Sequence, residues 1–260
     1  MGTRITIITI SFNSEKTLEQ TIKSVVGQGY DNLEYIIIDG GSTDGTLDIV
    51  NRYRNYITVV VSEKDNGISD AFNKGIVRAS GEVIGIINSD DLLADGALAA
   101  LSEAYQDDVD VYRGNLLIWD EAICKQYVNV PTMHFDIKRN MLSVCHPSTF
   151  ISKKAYNKWG LYDVEMRYMM DADILFRFYK AGAKFKHVDQ NLAIFRLGGV
   201  TSDDWKKKVP EYRKVLIVNG ASNWVIFRRM TIYMVRNSIK DILFKLFGPE
   251  RSRKMFYKNK

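Results

Sequence analysis

The chain has 260 residues, of which 46% are hydrophobic and 26% charged, a composition typical of a globular protein. Only 4 prolines and no low-complexity run argue against long disordered linkers. Its two cysteines are too few for a disulfide framework, so we expect reduced thiols and a cytoplasmic location. The net charge of +5 comes from the tail, because residues 225–260 contain ten Lys or Arg and two acids. No zinc-finger, helix-turn-helix or RNA-binding pattern accompanies that charge, so no nucleic-acid partner is expected.

The first hundred residues alternate between apolar, β-branched runs and segments with helical spacing. Strands are predicted at Arg4–Phe12, Glu34–Asp39, Thr58–Ser62 and Glu82–Asn88. Helices are predicted over Glu15–Gln28, around Leu47–Val50, near Ser69–Ala79 and over Ala94–Tyr105. This alternation implies right-handed crossovers and a mostly parallel central sheet flanked by helices.

Beyond residue 105 the elements are shorter and the alternation is less regular. Short strands that suit an antiparallel region are predicted at Asp110–Leu117, Ala122–Val130 and Cys145–Ile151. Two further strands are predicted at Lys184–Asp189 and Asn191–Arg196, and helices at Lys153–Trp159 and Asp173–Ala181. We therefore expect an α/β domain over residues 1–205, with a smaller antiparallel region in its second half, and a basic helical extension over residues 206–260.

Three of the predicted strands run directly into acidic residues. Asp39 ends the second strand, Asp65 follows the third, and Asp90 and Asp91 follow the fourth. Because ligands of parallel α/β sheets bind at the carboxyl ends of the strands, these acids are expected to meet at one edge. Such an edge repels phosphate unless a cation is bound, and hard cations such as Mg²⁺ take carboxylate oxygens. The pattern therefore predicts a metal-bridged nucleotide site. Because the sequence contains neither a P-loop motif nor Gly-x-Gly-x-x-Gly, P-loop NTPases and Rossmann dehydrogenases are disfavoured.

Two of these acidic sites have a plainer alternative. Asp39 precedes Gly40-Gly41, so it can bind a nucleobase or ribose, or it can cap the turn that follows. Asp90 and Asp91 can hold a metal that neutralises a departing diphosphate, or they can cap the next helix.

The second half of the chain offers further polar candidates. Asp171 and Asp173 precede an apolar helix; one can act as a general base on an alcohol, or both can simply stabilise the helix N-terminus. His146 can bind an acceptor or a phosphate, or it can be structural. Arg196, followed by Gly198 and Gly199, can fold over a diphosphate or belong to an ordinary surface loop.

At this point an ordered set of motifs becomes recognisable. Thr9–Asn13, Asp39–Thr46, Asp65–Gly75 and Asn88–Asp91 closely resemble the opening half of family 2 glycosyltransferases of GT-A fold. His146–Ser148, Gly160–Asp163, Asp171–Gly182 and Arg196–Ser202 are similar to the acceptor-side half of bacterial polysaccharide members. The resemblance covers about three-quarters of the chain. It implies an inverting transfer from a nucleotide-diphosphate sugar, with UDP favoured, to a hydroxyl of a glycan or lipid-linked acceptor in bacterial surface polysaccharide synthesis.

The resemblance also implies roles for individual residues. Asp171 would be the base, and Asp90 and Asp91 would bind Mg²⁺ or Mn²⁺. Asn88 stands where many members have the first metal-site Asp, so which of Asp90 and Asp91 holds the metal stays open. Met170 stands where many members have Glu, which leaves Asp173 as an alternative base. The donor would be bound by Thr9, Ser11, Asp39, Asp65, Lys74, Asn88 and Asp90, and the acceptor or diphosphate by His146, Arg196, Gly198 and Gly199.

The tail and two other functions complete the expectations. Residues 224–260 mix apolar and basic side chains, which predicts an amphipathic helix that lies on the inner face of the cytoplasmic membrane, or one that packs on the domain or across a homodimer. A sugar-phosphate nucleotidyltransferase would need a glycine-rich basic loop where this chain has Asn13–Lys16. A non-catalytic nucleotide-sugar-binding scaffold is the third alternative.

Overall fold

The computed structural model describes residues 2–120, 124–136, 146–197 and 205–256, with side chains through residue 248. Among the predicted features, Cys145, Gly198 and Gly199 lie outside the described residues. In the described ranges the chain forms one mixed sheet with helices on both faces. The α/β class expected from the sequence is therefore confirmed.

The first half of the sheet is parallel, as predicted. Its strands are β1 (Ile5–Ser11), β2 (Leu33–Asp39), β3 (Val59–Ser62) and β4 (Val83–Asn88). The connecting helices are α1 (Leu18–Val26), α2 (Thr46–Arg52) and α3 (Ile68–Arg78). The spatial order β3-β2-β1-β4 places β1 in the centre, and every neighbouring pair is parallel.

The second half of the sheet is mixed. After β5 (Leu92–Leu93) and α4 (Ala97–Ala104) come β6 (Val111–Asp120), β7 (Lys125–Asn129), β8 (Thr149–Ser152), α5 (Lys153–Trp159), α6 (Met170–Lys180) and β9 (Phe185–Arg196). Strand β8 pairs antiparallel with both β4 and β6, and β7 pairs antiparallel with β6. The row of strands that starts with the parallel half continues beyond β4 in the order β8, β6, β9 and β5. The antiparallel region expected from the sequence is confirmed for these pairs.

Two predictions in this half are wrong. The strand expected at Cys145–Ile151 starts only at Thr149, because His146–Ser148 form a short 3-10 helix. The two strands expected at Lys184–Asp189 and Asn191–Arg196 form the single strand β9, which pairs parallel with β6. A register shift next to Asn115 accommodates the polar residues between the two apolar runs, and those residues are exposed. Because a bulge absorbs extra residues without ending the ladder, the break in hydrophobic pattern did not end the strand.

The core lies on both faces of the sheet. Alternate residues of β1 enter different clusters, so that Ile7 packs with helix α1 and Ile8 with helix α3. Both residues are fully buried, which explains why β1 is apolar almost throughout. The site must therefore lie at the carboxyl edge of the strands, beyond the helices that cover the two faces.

Two helices follow the sheet. In α7 (Trp205–Val218), Tyr212, Val215 and Leu216 are buried in the cluster that also contains Met169. Helix α8 (Asn223–Phe256) breaks at Gly248, where φ is 73°. Its Tyr233 ring stacks on Tyr212 with centroids 4.7 Å apart. No helix within the described ranges is long and apolar enough to cross a membrane. A domain division near residue 205 stays a prediction.

Candidate active site

The predicted acidic strand ends meet at one edge of the sheet. Ser11 at the end of β1 is in register with Asp39 at the end of β2, and Asp39 is in register with Ser62 at the end of β3. On the other side of β1, Ile10 is in register with Asn88, which opens the acidic turn. The parallel arrangement thus brings Ser11, Asp39 and Asn88 of the predicted donor residues to one edge.

Asp39 is turned inward at this edge. It is fully buried, and its two oxygens accept five hydrogen bonds. The donors are the backbone N–H groups of Gly41 and Ser42 and the hydroxyls of Ser11, Ser42 and Ser62. Asp39 therefore caps the following turn, which is one of the two alternatives open from the sequence. Its binding of a nucleobase stays a prediction.

Thr9 and Ser11 occupy different environments although both belong to β1. Ser11 donates to Asp39 at 3.2 Å and so helps to build the edge. Thr9 is fully buried, and its hydroxyl accepts a hydrogen bond from Tyr35 at 3.1 Å. The structure places Thr9 in the interior, one strand repeat below the edge.

Asp65 and Lys74 flank the turn after β3. Asp65 Oδ1 accepts the N–H of Gly67 at 2.9 Å and so orders the Asn66-Gly67 turn; its binding of the donor stays a prediction. Its Oδ2 lies where a side chain at Gly40 would begin, 2.5 Å from an ideal Cβ, so this close approach requires glycine. Lys74 Nζ pairs with Glu63 at 3.0 Å and also with Asp70. Lys74 is thus engaged by carboxylates beside the edge.

The acidic turn Asn88–Asp91 contains oxygen atoms without donors. Asp91 is 1% exposed, and among the described residues neither of its carboxylate oxygens has a hydrogen-bond partner. The same holds for Oδ1 of Asn88. Burial raises the pKa of Asp91 to about 7; His146 and Arg196 act to lower it, and the charge of Asp90 adds to the increase. Carboxylate and amide oxygens that lack protein donors fit a hard divalent cation.

Two residues that sequence reasoning missed hold this turn. Thr21 Oγ1 lies 2.9 Å from the carbonyl oxygen of Ser89 and 2.8 Å from that of Asp91, and it is the donor to both. Ser14 and Ser89 join their hydroxyls at 2.7 Å. The available signal was position: Thr21 lies on the buried face of α1 beside Leu18, where a polar residue needs an internal partner.

Asp171 and Asp173 both lie in the first turn of α6 but serve different contacts. Asp173 is 5% exposed and accepts from Arg177 Nε at 2.9 Å, one helical turn along. Arg177 also donates to the carbonyl oxygens of Trp159 and Leu161. Asp171 instead faces the cleft, where its Oδ2 lies 3.1 Å from Nδ1 of His146. Asp171 Oδ1 is buried and has no partner among the described residues.

His146 lies between the acidic turn and Asp171. Burial acts to lower the pKa of His146, but the charge and hydrogen bond of Asp171, with Asp91 and Asp90, outweigh it and raise the pKa above its ordinary value. Its Nδ1 donates to Asp171, while its Nε2 is buried and has no partner in the described part of the chain. A small apolar pocket beside Asp171 is lined by Ile86, His146, Tyr156 and Tyr162, among others. The two halves of the candidate site thus meet at this histidine.

Arg196 ends β9 beside the acidic turn, close enough to act on the pKa of Asp91. Its Nη2 donates to Oε1 of Gln20, and its guanidinium lies 5.4 Å from the centre of the Trp119 ring. Its Nε is buried without a partner among the described residues. Gly198 and Gly199 lie outside the described residues, so their place in a diphosphate loop stays a prediction.

Comparison with known proteins identifies the family. The sequence matches the family described as Glycosyl transferase family 2 over residues 6–158, more than half of the chain. The chain belongs to family 2 of the glycosyltransferases. Its resemblance to that family is thereby confirmed, and glycosyl transfer is favoured over the nucleotidyltransferase and scaffold alternatives. The match ends before Asp171, so the residues on α6 and β9 are argued from this structure and from the motif resemblance.

Several glycosyltransferases are similar in sequence. Glycosyltransferase GlyG of Streptococcus pneumoniae is 28% identical over 217 residues, which span 75% of this chain and 71% of GlyG. A PGL/p-HBAD biosynthesis glycosyltransferase of Mycobacterium tuberculosis is 25% identical over 190 residues, or 70% of this chain and 73% of that protein. TuaG of Bacillus subtilis, named for teichuronic acid biosynthesis, is 39% identical over 90 residues, 34% of this chain and 36% of TuaG.

Solved glycosyltransferase structures share the fold of this family 2 member. S. aureus TarS 1-349 in complex with UDP aligns with a TM-score of 0.64 and 16% identity over 97% of this chain and 78% of TarS. The mannosyltransferase PcManGT from Pyrobaculum calidifontis, in complex with GDP-Man and Mn²⁺, aligns with a TM-score of 0.65 and 14% identity over 99% and 79% of the two chains. These likenesses confirm a GT-A type of fold.

Proposed function

We propose that this protein is an inverting glycosyltransferase that moves a sugar from a nucleotide-diphosphate sugar, with UDP as the favoured nucleotide, to a hydroxyl of a glycan or lipid-linked acceptor. The observation that carries the proposal is the arrangement around His146. On one side lies a turn of buried, unpartnered oxygens at Asn88 and Asp91, and on the other lies a second carboxylate, Asp171. This arrangement supports a donor site and a base in one cleft. The names of TuaG and TarS's bound UDP support surface polysaccharide synthesis and a uridine donor.

The acidic turn is suited to a divalent metal. The oxygens of Asp91, Asn88 and the adjacent Asp90 are ligands of the type that Mg²⁺ and Mn²⁺ prefer, and with no cluster of three or more His, Cys, Asp or Glu side chains placed to hold a metal ion in the described residues, the substrate diphosphate would complete the coordination. Mn²⁺ in PcManGT supports this assignment. Such an ion supplies positive charge for the leaving nucleoside diphosphate. The burial of Asp91, compared with the half-buried Asp90, favours Asp91 as a ligand.

Asp171 is suited to act as the base. Its Oδ1 accepts the proton of the acceptor hydroxyl while the hydroxyl oxygen forms a bond to the anomeric carbon. The bond from that carbon to the diphosphate breaks on the opposite face, so the configuration inverts and the nucleoside diphosphate leaves. His146 holds Oδ2 and thereby directs Oδ1 towards the acceptor. Asp173 is unsuited to this role because Arg177 already binds it.

The test is transfer and hydrolysis across a panel of UDP-, GDP- and dTDP-sugars with Mn²⁺. Asp171→Asn is expected to reduce transfer to a small residual rate while its melting temperature stays near that of the wild type. Asp173→Asn is the matched control from the same helical turn, and it is expected to lower stability through the loss of its pair with Arg177 while retaining transfer. Full transfer activity of Asp171→Asn contradicts the assignment of the base.

We also propose that α8 lies on an anionic membrane surface at the inner face of the cytoplasmic membrane. The helix carries a row of exposed apolar side chains. They include Trp224, Phe227, Val235, Ile242 and Leu246, whose exposed fractions lie between 52% and 71%. Apolar patches of this kind mark interaction sites. Between Asn223 and Phe256 there are eight Lys or Arg and two acidic residues.

The charge of the helix favours a membrane over a second copy of the chain. Asp241 points inward to Nε1 of Trp205 at 2.8 Å, so it does not offset the positive charge of the outer side. Two such helices would repel each other, whereas each Lys or Arg near an anionic bilayer contributes about 1 kcal/mol of attraction. A lipid-linked acceptor would be presented at the same surface.

This proposal is tested by sedimentation with vesicles of phosphatidylglycerol and phosphatidylcholine, compared with phosphatidylcholine alone. The full chain should bind the anionic vesicles, and Ile242→Glu with Leu246→Glu should weaken that binding because both side chains are exposed. Lys125→Glu, on the distant strand β7, is the charge control. Equal sedimentation of all three proteins contradicts the membrane proposal. So does a dimer that persists at high salt in the wild type and is a monomer in the double variant.

A further inference from the structure

Helix α6, which bears Asp171, begins without a side-chain cap of its own. Its N-cap residue is Met169, whose side chain makes no capping hydrogen bond. The N–H groups at a helix start need partners from outside the helix. A carboxylate from another helix binds the N-cap amide and the two amides before it: Glu211 of α7 accepts the backbone N–H groups of Arg167, Tyr168 and Met169.

The geometry of this contact is specific. Oε1 of Glu211 lies 2.9 Å from the nitrogen of Arg167, and Oε2 lies 2.8 Å and 2.9 Å from those of Tyr168 and Met169. Hydrogen bonds to a charged acceptor are shorter and stronger than those to a neutral one. A negative group beside a helix N-terminus is further favoured by the helix dipole. Glu211 therefore binds three consecutive amides that end two residues before Asp171.

The same backbone segment is also attached to the donor half. Ser69, at the start of α3 and 1% exposed, donates to the carbonyl oxygen of Met166 at 2.5 Å. The side chain of Arg167 reaches the Asn66-Gly67 turn, since its Nε lies 3.7 Å from the position of a Cβ at Gly67. Residues 166–169 thus connect the donor-side helix α3 with the base-bearing helix α6.

We propose that Glu211 is a positioning residue for the transfer reaction: it fixes the start of α6 and thereby the direction in which Asp171 presents its free oxygen. The inference rests on the proposed role of Asp171 as the base. Glu211 lies outside the family match, on a helix that follows the sheet. Displacement of a reacting group by about 1 Å can lower a rate by about 100-fold, which sets the size of the expected effect.

A neighbour on the same helix provides a matched control. Lys214 Nζ binds Asp163 and Glu165, each at 3.0 Å, and so ties α7 to the same loop. It does not contact the amides of residues 167–169. Lys214→Met therefore removes polar contacts between α7 and the loop without releasing the start of α6.

The experiment compares the full-length wild type, Glu211→Gln, Glu211→Ala and Lys214→Met at a temperature at which circular dichroism shows all four folded. The transfer kcat is expected to fall by about 10- to 100-fold in Glu211→Ala. It should fall less in Glu211→Gln, because the amide keeps one acceptor oxygen. UDP affinity by calorimetry should be unchanged in both, and Lys214→Met should keep the wild-type kcat. Wild-type kcat in Glu211→Ala overturns the inference.

Double variants separate positioning from a general loss of stability. If Glu211 acts through Asp171, adding Glu211→Ala to Asp171→Asn leaves the residual rate unchanged. A reduction by the same factor as in the wild type overturns the inference. Full activity of Asp171→Asn alone contradicts the proposed function, whereas full activity of Glu211→Ala beside an inactive Asp171→Asn contradicts only the role of Glu211.

Discussion

Replacement of Asp39 by Asn tests what holds the proposed nucleoside-binding edge of the site together. Asp39 is fully buried and accepts five hydrogen bonds. An Asn of the same shape offers one acceptor oxygen and an NH₂ group. With the amide oxygen in the place of Oδ2, the N–H groups of Gly41 and Ser42 and the hydroxyl of Ser62 keep an acceptor. The NH₂ group then meets the hydroxyls of Ser11 and Ser42, which can rotate to accept it.

The expected loss follows from the change of acceptor charge. Hydrogen bonds to a charged group contribute about 1.5–3 kcal/mol and those to a neutral group about 0.5–1.5, so each of the three retained bonds weakens by about 1 kcal/mol. Burial of a neutral amide is less unfavourable than burial of a carboxylate and offsets part of this. We expect Asp39→Asn to lower the free energy of unfolding by about 1–3 kcal/mol. Asp39→Ala should lose about 3–5 kcal/mol, because it leaves the Gly41 and Ser42 amides unpaired.

Urea unfolding followed by circular dichroism measures the stability, and calorimetry with UDP measures the affinity. We expect both to decrease together in Asp39→Asn, because the loosened turn no longer presents its backbone to the nucleoside. Ser62→Ala, which removes one donor to Asp39, should show a smaller loss of both. Wild-type stability in Asp39→Asn refutes the hydrogen-bond reasoning, and if UDP binding is lost at the same time, Asp39 acts by direct contact with the nucleoside.

Three further predictions concern the turn, the pH dependence and the packing. Thr21→Val keeps the shape of a buried side chain but removes the donor to the acidic turn, so Mn²⁺-dependent UDP affinity should fall in calorimetry; unchanged affinity would show that the turn is held by other contacts. Burial opposes ionisation of Glu34, but hydrogen bonds led by that of Ser80 outweigh it and hold the pKa of Glu34 below its ordinary 4.5. A carboxyl group whose pKa is lower in the folded than in the unfolded protein stabilises the fold above the unfolded-state pKa, and this stabilisation is lost as the pH falls through the folded-state pKa. Glu34→Gln should therefore be less stable than the wild type at pH 7, and urea unfolding should show that this difference shrinks below pH 4.5. Gly85→Ala should destabilise by about 1–3 kcal/mol, since its Cβ would lie 2.3 Å from the Phe150 ring, and a wild-type melting temperature would contradict that close contact.

The sequence by itself determined the parallel half of the sheet and its acidic edge. Strand β1 is apolar because both of its faces are covered, and its neighbours have the same composition, so the local pattern sufficed. Once the strands are parallel, right-handed crossovers place Asp39 and Asp91 at the same edge. Family membership could also be read from ordered motifs, because their spacing reflects these same strands and turns.

Tertiary structure alone decided which polar residues face the cleft. Asp171 and Asp173 lie two residues apart in one helical turn. They differ because His146, from elsewhere in the fold, contacts Asp171, whereas Arg177, from the next turn of the helix, binds Asp173. Thr21 binds a turn about seventy residues away. Glu211 binds amides more than forty residues before it. A buried polar group is satisfied by whichever partner packing brings within reach, and that partner need not be near in sequence.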